Sequence, residues 1–192
     1  GDGKKEITTF SDDRLLIVAG ALKLSFVKDA KLYIINNQGQ PLSGWPIKIP
    51  IFSRAFTNWL PELTPALIDI DMDGIKDLLI QNAAQQTDKN YILGYIDAFN
   101  IYGSHISGFP RNLGDKMNFF EYSPDGGVVS TADIDGDGKP EIVAFQDNSL
   151  FLLNNRGEVM PGWPIVKREI SSYDYTFISG ATFGDTDEDD AL

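Results

Sequence analysis

Asp69-Ile70-Asp71-Met72-Asp73-Gly74-Ile75-Lys76-Asp77 and Asp133-Ile134-Asp135-Gly136-Asp137-Gly138-Lys139-Pro140-Glu141 are two copies of one acidic loop, each set after a short apolar run. Carboxylates stand at positions one, three and five, glycine at six and an acid at nine, so hard oxygen donors gather about one point. Held that closely without a cation, the side chains repel one another and bind protons more tightly. Calcium accepts about six to eight such oxygens, whereas magnesium gives up its water reluctantly, so the cofactor expected here is Ca2+. The candidate ligands are Asp69, Asp71, Asp73 and Asp77 with the main-chain carbonyl of Ile75, and Asp133, Asp135, Asp137 and Glu141 with that of Lys139. Where an EF-hand places its bidentate Glu, this chain has Ile80 and Ala144, so each loop joins two strands. A metal-free Asp-Gly hairpin turn has no need of so many acids.

Fragments of the same loop flank the chain. Gly1-Asp2-Gly3-Lys4-Lys5-Glu6-Ile7 reads as its second half and Asp185-Thr186-Asp187-Glu188-Asp189-Asp190 as its first half. Asp2, Glu6, Asp185, Asp187 and Asp189 are therefore further ligand candidates, with Asp190 standing where the complete copies have glycine. Fifteen of the 28 acidic residues fall in these four segments, and the remainder is balanced by 16 Lys and Arg, so the net charge of −12 is mostly stored ligand charge. No basic patch points to nucleic acid. No apolar run approaches the ~20 residues of a membrane-crossing helix, so direct membrane insertion is not expected. Cysteine is absent, which excludes disulfides and thiolate metal sites. An oxygen site of modest affinity fills in calcium-rich extracellular fluid and stays empty in resting cytosol, so the expected location is extracellular or at the cell surface.

A second motif runs in step with the first. Leu32-Tyr33-Ile34-Ile35-Asn36-Asn37-Gln38-Gly39 leads to Gly44-Trp45-Pro46, Ile96-Asp97-Ala98-Phe99-Asn100-Ile101-Tyr102-Gly103 to Gly108-Phe109-Pro110, and Leu150-Phe151-Leu152-Leu153-Asn154-Asn155-Arg156-Gly157 to Gly162-Trp163-Pro164. Asp73 to Asp137 and Gly44 to Gly108 are both 64 residues, and Gly108 to Gly162 is 54. Periods of this length mark propellers or solenoids. Each unit reads as four short strands; in the middle one these are 66–70, 77–81, 91–100 and 104–111, and in the last complete one 128–134, 141–145, 149–154 and 158–163. The expected fold is all-β, a propeller of four-stranded antiparallel blades with about three blades present, hence a fragment of a larger propeller. Its units span approximately 1–60, 61–122 and 123–178, and 179–192 begins a further blade.

The acidic loop, the apolar strand 78–80 or 142–144 behind it, Asn-x-x-Gly and then Gly-Trp-Pro together resemble the FG-GAP/VCBS-type repeats found in integrin alpha propellers and in secreted bacterial proteins. The Gly-Trp-Pro ending is closer to the bacterial branch, and the resemblance covers essentially the whole chain. It implies a calcium-bearing propeller serving as an extracellular binding or adhesion module for a protein or carbohydrate ligand. The alternative it implies is part of a secreted polysaccharide-degrading enzyme, a lyase-like calcium propeller.

The links between units carry aromatic clusters that include Trp59, Phe120 and Tyr175. They form either a ligand surface on the face opposite the metal loops or packing between blades. Trp45, Phe109 and Trp163, fixed between glycine and proline, read as packing plugs at the blade edge. The single histidine, His105, lies in no nucleophile-elbow pattern, so no catalytic residue is assigned.

Overall fold

Leu78-Leu79-Ile80 and Ile142-Val143-Ala144 are apolar at consecutive positions, so strands built from them have no solvent face and require cover on both sides. The structure, a computed structural model, describes residues 7–19, 22–49, 65–85, 92–114, 128–146, 149–166 and 180–184. Among the described residues the chain is all-β, with no helix and three antiparallel sheets. The first sheet has three strands, β1 (Ile7–Ala19), β2 (Leu22–Ile35) and β3 (Ile47–Ile49). The second has four: β4 (Ala66–Ile68), β5 (Asp77–Gln85), β6 (Ile92–Phe99) and β7 (Arg111–Gly114). The third has β8 (Ser130–Ala132), β9 (Glu141–Gln146), β10 (Ser149–Leu153) and β11 (Ile165–Val166). In every sheet, sequence neighbours pair in order.

The alternation along β5 and β6 splits their side chains between two cores. Leu78, Ile80 and Phe99 pack with Leu32, Ile34, Trp45 and Ile49 of the first sheet. Leu79, Ile96, Ala98, Phe109 and Leu113 pack with Ile142, Ala144, Phe151 and Leu153 of the third. The second sheet thus lies between the other two, which is the cover its consecutive apolar residues demanded. Along the edge that carries the acidic loops, β4 lies beside β8, and Ala181 N donates to Ser130 Oγ at 3.0 Å, so 180–184 follows β8.

Polar groups bridge the second and third sheets. The Gln81 amide pairs with the main chain of Phe145: Nε2 donates to its carbonyl, and Oε1 accepts from its N–H at 3.2 Å. Gln146 Nε2 donates to Gly114 O at 3.2 Å. A buried amide that meets a main-chain donor and acceptor avoids the cost of burying a polar group unpaired.

The fourth strand of each unit differs from the sequence expectation. Residues 104–111 and 158–163 do not run as strands; single bridges at His105 and Val159 are followed by a tight turn, and β7 and β11 begin only after the Gly-aromatic-Pro segment. In that turn Trp45 N donates to Leu42 O, Phe109 N to Ile106 O and Trp163 N to Met160 O, at 3.0 to 3.1 Å. Its third residue is glycine with φ of 90°, 96° and 88° at Gly44, Gly108 and Gly162, the left-handed conformation of a type II turn. The Pro161-Gly162 pair spells that turn in the sequence.

Candidate metal centre

Each acidic loop is anchored by its last acid. Asp77 and Glu141 open β5 and β9, where they are buried, and each turns back across its loop. Ile70 N donates to Asp77 Oδ2 at 3.0 Å, and Ile134 N donates to Glu141 Oε2 at 2.7 Å. The first acid caps the far side: Gly74 N donates to Asp69 Oδ2 and Gly138 N to Asp133 Oδ2, both at 2.9 Å. Such bonds hold the carboxylates in place before any ion arrives. Position six is glycine for its backbone and not for space, since a Cβ at Gly74 or Gly138 would meet nothing within 4 Å while φ is +86° and +83°. Position four is also left-handed, and there Met72 (φ 66°) stands where the second loop has Gly136. A non-glycine side chain in that conformation stores roughly 1 kcal/mol of strain.

The loops bring three carboxylates together in each case. Oxygens of Asp69, Asp71 and Asp77 lie within 4.8 Å of one another, as do those of Asp133, Asp135 and Glu141. Asp73 and Asp137 lie outside these clusters. Asp73 Oδ1 accepts from Ile75 N at 2.7 Å, and Asp137 holds Lys139 Nζ at 2.5 Å and Lys139 N at 2.8 Å. The Lys139 ammonium holds the Asp137 carboxyl below the usual carboxylate range. Ile75 and Lys139 have their side chains toward solvent, which leaves their main chain for the site. Asp2, Glu6, Asp185, Asp187 and Asp189, together with Trp59, Phe120 and Tyr175, lie outside the described residues.

Two observations test whether these residues suit a cation. Asp133 Oδ1 is buried and accepts no hydrogen bond, although its counterpart Asp69 Oδ1 accepts from Asp73 N at 3.0 Å. An orphaned carboxylate oxygen beside two other carboxylates has the donor chemistry a hard divalent ion completes. In the first loop, burial pushes the Asp77 carboxyl up to about 6, and the charges of Asp71 and Asp73 add to the effect. The donor set therefore fits a metal ion in both loops.

Two features of the neighbourhood have no counterpart in the motif reading. Asn155 Nδ2 donates to Ile70 O at 3.1 Å, which ties the third sheet to the entrance of the second sheet's loop. Its signal in the sequence is only the second residue of an Asn-Asn pair. The other is Asp97, buried in the otherwise apolar β6, with His105 Nε2 at 3.0 Å from Oδ1. The imidazole lies off the hydrogen-bond line of that oxygen. Burial pushes Asp97 up to about 6, against the opposing pull of His105.

The folded state thus binds the Asp97 proton more tightly than the unfolded chain, whose value is 3.8. That contribution to stability is complete below about pH 4 and is lost as pH rises through about 6. Asp97→Asn, which cannot ionise, is expected to be more stable than the parent by about 2 kcal/mol at pH 7.5 and nearly equal to it at pH 4. Urea denaturation of both proteins at the two pH values measures this. A gap that is the same at both would remove the titration of Asp97 as its cause.

Comparison with protein-family models, curated proteins and solved structures gives no match for this chain.

Proposed function

We propose that this chain is a calcium-stabilised part of a β-propeller of the FG-GAP/VCBS type, serving outside the cell as a binding or adhesion module for a protein or carbohydrate ligand. The observation that carries the reading is the recurrence of one carboxylate arrangement at the same strand-loop-strand position in two successive sheets. The succession of β4, β8 and 180–184 along one edge, with sheets packed face to face behind it, supports a radial arrangement. Asp69, Asp71 and Asp77 would hold one ion and Asp133, Asp135 and Glu141 the other. Calcium prefers carboxylate and carbonyl oxygens, and thiol ligands are absent.

In this role the ion neutralises clustered charge and clamps the hairpin. The carboxylates cap main-chain N–H groups across the loop, so fixing them fixes the turn between the first two strands of a sheet. The ligand surface is assigned to the aromatic links, Trp59, Phe120 and Tyr175.

Isothermal titration calorimetry with calcium tests the metal assignment. Saturable uptake is expected, and Asp71→Ala and Asp135→Ala should each remove one equivalent while leaving the other in place. Uptake that neither substitution changes would show that the ions bind elsewhere.

A further inference from the structure

Loop one touches a second sheet at Ile70. The N–H of Ile70 donates to Asp77 Oδ2 at 3.0 Å, and its carbonyl accepts from Asn155 Nδ2 of the third sheet at 3.1 Å. The N–H of Asp71 also bonds the Asp77 carboxylate. The peptide unit between Ile70 and Asp71 is planar, so a donor fixed on its oxygen also fixes the direction of its N–H and the start of the Asp71 side chain. Asp71 and Asp77 are two of the three clustered carboxylates, and both take their places from the plane that Asn155 holds.

Asn155 sits in a turn that is closed on itself and pressed against the second sheet. Its neighbour Asn154 accepts on Oδ1 from Arg156 N and Glu158 N at 2.9 and 3.0 Å, and donates from Nδ2 to Glu158 Oε2 at 2.9 Å. Arg111 donates to Arg156 O at 3.2 Å, and a Cβ on Gly108 would lie 2.6 Å from that same oxygen. Gly157 is buried where a Cβ would meet the Phe109 ring at 3.1 Å. A turn seated so closely delivers the Asn155 amide to one place. The arrangement belongs to this joint and not to the fold in general. In the second sheet's turn the same position is Ile101, whose side chain has no N–H to offer; there Trp45 Nε1 donates to the Ile101 carbonyl at 2.7 Å.

From this geometry we infer that Asn155 is a positioning residue for calcium in loop one: the turn of the third sheet orients the ligands of the second sheet's ion, and the ion in return tightens the joint. The inference rests on the metal reading of the loops and adds to it a residue from another sheet. Coupling between two binding events is reciprocal, so whatever factor the joint contributes to calcium affinity, calcium returns to the joint. Sequence proximity points the other way. Asn155 shares a sheet with loop two, yet its side chain serves loop one.

Calorimetric titration of the full chain with calcium separates the two loops: an Asp135→Ala background reads loop one and an Asp71→Ala background reads loop two. Asn155→Leu keeps the size of the side chain and removes its donor. Added to each background, it is expected to weaken loop one about tenfold, at the low end of what losing a ligand-orienting group does. Loop two should keep its affinity, which also shows that the variant is folded. A second measurement leaves Asn155 in place. Calcium added to the Asp135→Ala protein should slow amide hydrogen exchange at Arg156, Gly157 and Glu158, whose N–H groups close the turn. Loop-one affinity that ignores Asn155→Leu, a loss at loop two as large as that at loop one, or exchange in the turn indifferent to calcium would each overturn the inference and leave the metal reading standing. Absence of saturable uptake by the parent chain would remove the metal reading and this inference with it.

Discussion

Chelating calcium is expected to lower the melting temperature of this protein by about 10 °C or more, and restoring calcium is expected to recover it. A ligand present at a hundred times its dissociation constant stabilises a single site by about 2.7 kcal/mol, so two independent sites contribute about 5 kcal/mol. For a chain of this size each kcal/mol moves the midpoint by roughly 2–4 °C. The effect is local in origin. Without an ion, Asp77 is held with a raised proton affinity beside Asp71, and Asp133 Oδ1 is buried with no hydrogen-bond partner. Magnesium at the same concentration should recover less of the shift, because these loops ask a cation to exchange much of its water for protein oxygen. Differential scanning calorimetry in calcium, magnesium and chelator makes the comparison, and identical curves in all three would end the assignment of a divalent ion to the loops.

The two loops should not contribute equally. Loop one carries the φ-strained Met72 where loop two has Gly136, and it is tied to the third sheet through Asn155 and the Ile70 carbonyl. An ion there orders a loop that a neighbouring sheet already touches, so its stabilisation spreads across a joint. An ion in loop two would reach the neighbouring sheet through Glu141 at the head of β9, whose Ile142 and Ala144 lie in the shared core.

What the sequence made legible divides along a physical line. The loops were readable because charge repulsion leaves few explanations for so many acids at fixed spacing, and Asp69, Asp71, Asp77 and their counterparts do converge. The strands behind the loops were readable because 78–80 and 142–144 are β-branched or aliphatic runs bounded by turn residues. The fourth strands were misplaced because 104–111 and 158–163 show no helical spacing and so read as extended, while the glycine that breaks them acts through its φ. Asp71, Asp73, Asp135 and Asp137 each accept a bond from the N–H two residues on, a local bond that spacing alone does not reveal. Contacts between sheets, such as Gln81 with Phe145, left no trace because nothing local distinguishes a bridging glutamine from a solvated one. Asp97 was invisible for the same reason, and no pattern in one sequence would have singled it out.

Gly44→Ala is expected to cost about 3 kcal/mol or more, through two effects that a paired control separates. Gly44 has φ of 90°, where an L-residue pays roughly 1–2 kcal/mol. It also abuts the next sheet: a Cβ there would overlap the Tyr102 carbonyl oxygen, a main-chain atom fixed by the Asn100 turn. Relieving that overlap pushes the first and second sheets apart and disturbs the contact of Trp45 with Phe99, an overpacking effect of about 1–3 kcal/mol. Gly162 occupies the same place in the same turn with φ of 88°, and no described atom lies within 4 Å of the position its Cβ would take. Gly162→Ala should therefore show the backbone effect alone, about 1–2 kcal/mol. The difference between the two variants in urea unfolding isolates the joint. Equal losses would mean that the Gly-Trp-Pro edge carries no steric constraint from its neighbour and that the sheets meet more loosely than Trp45, Ile101 and Tyr102 require.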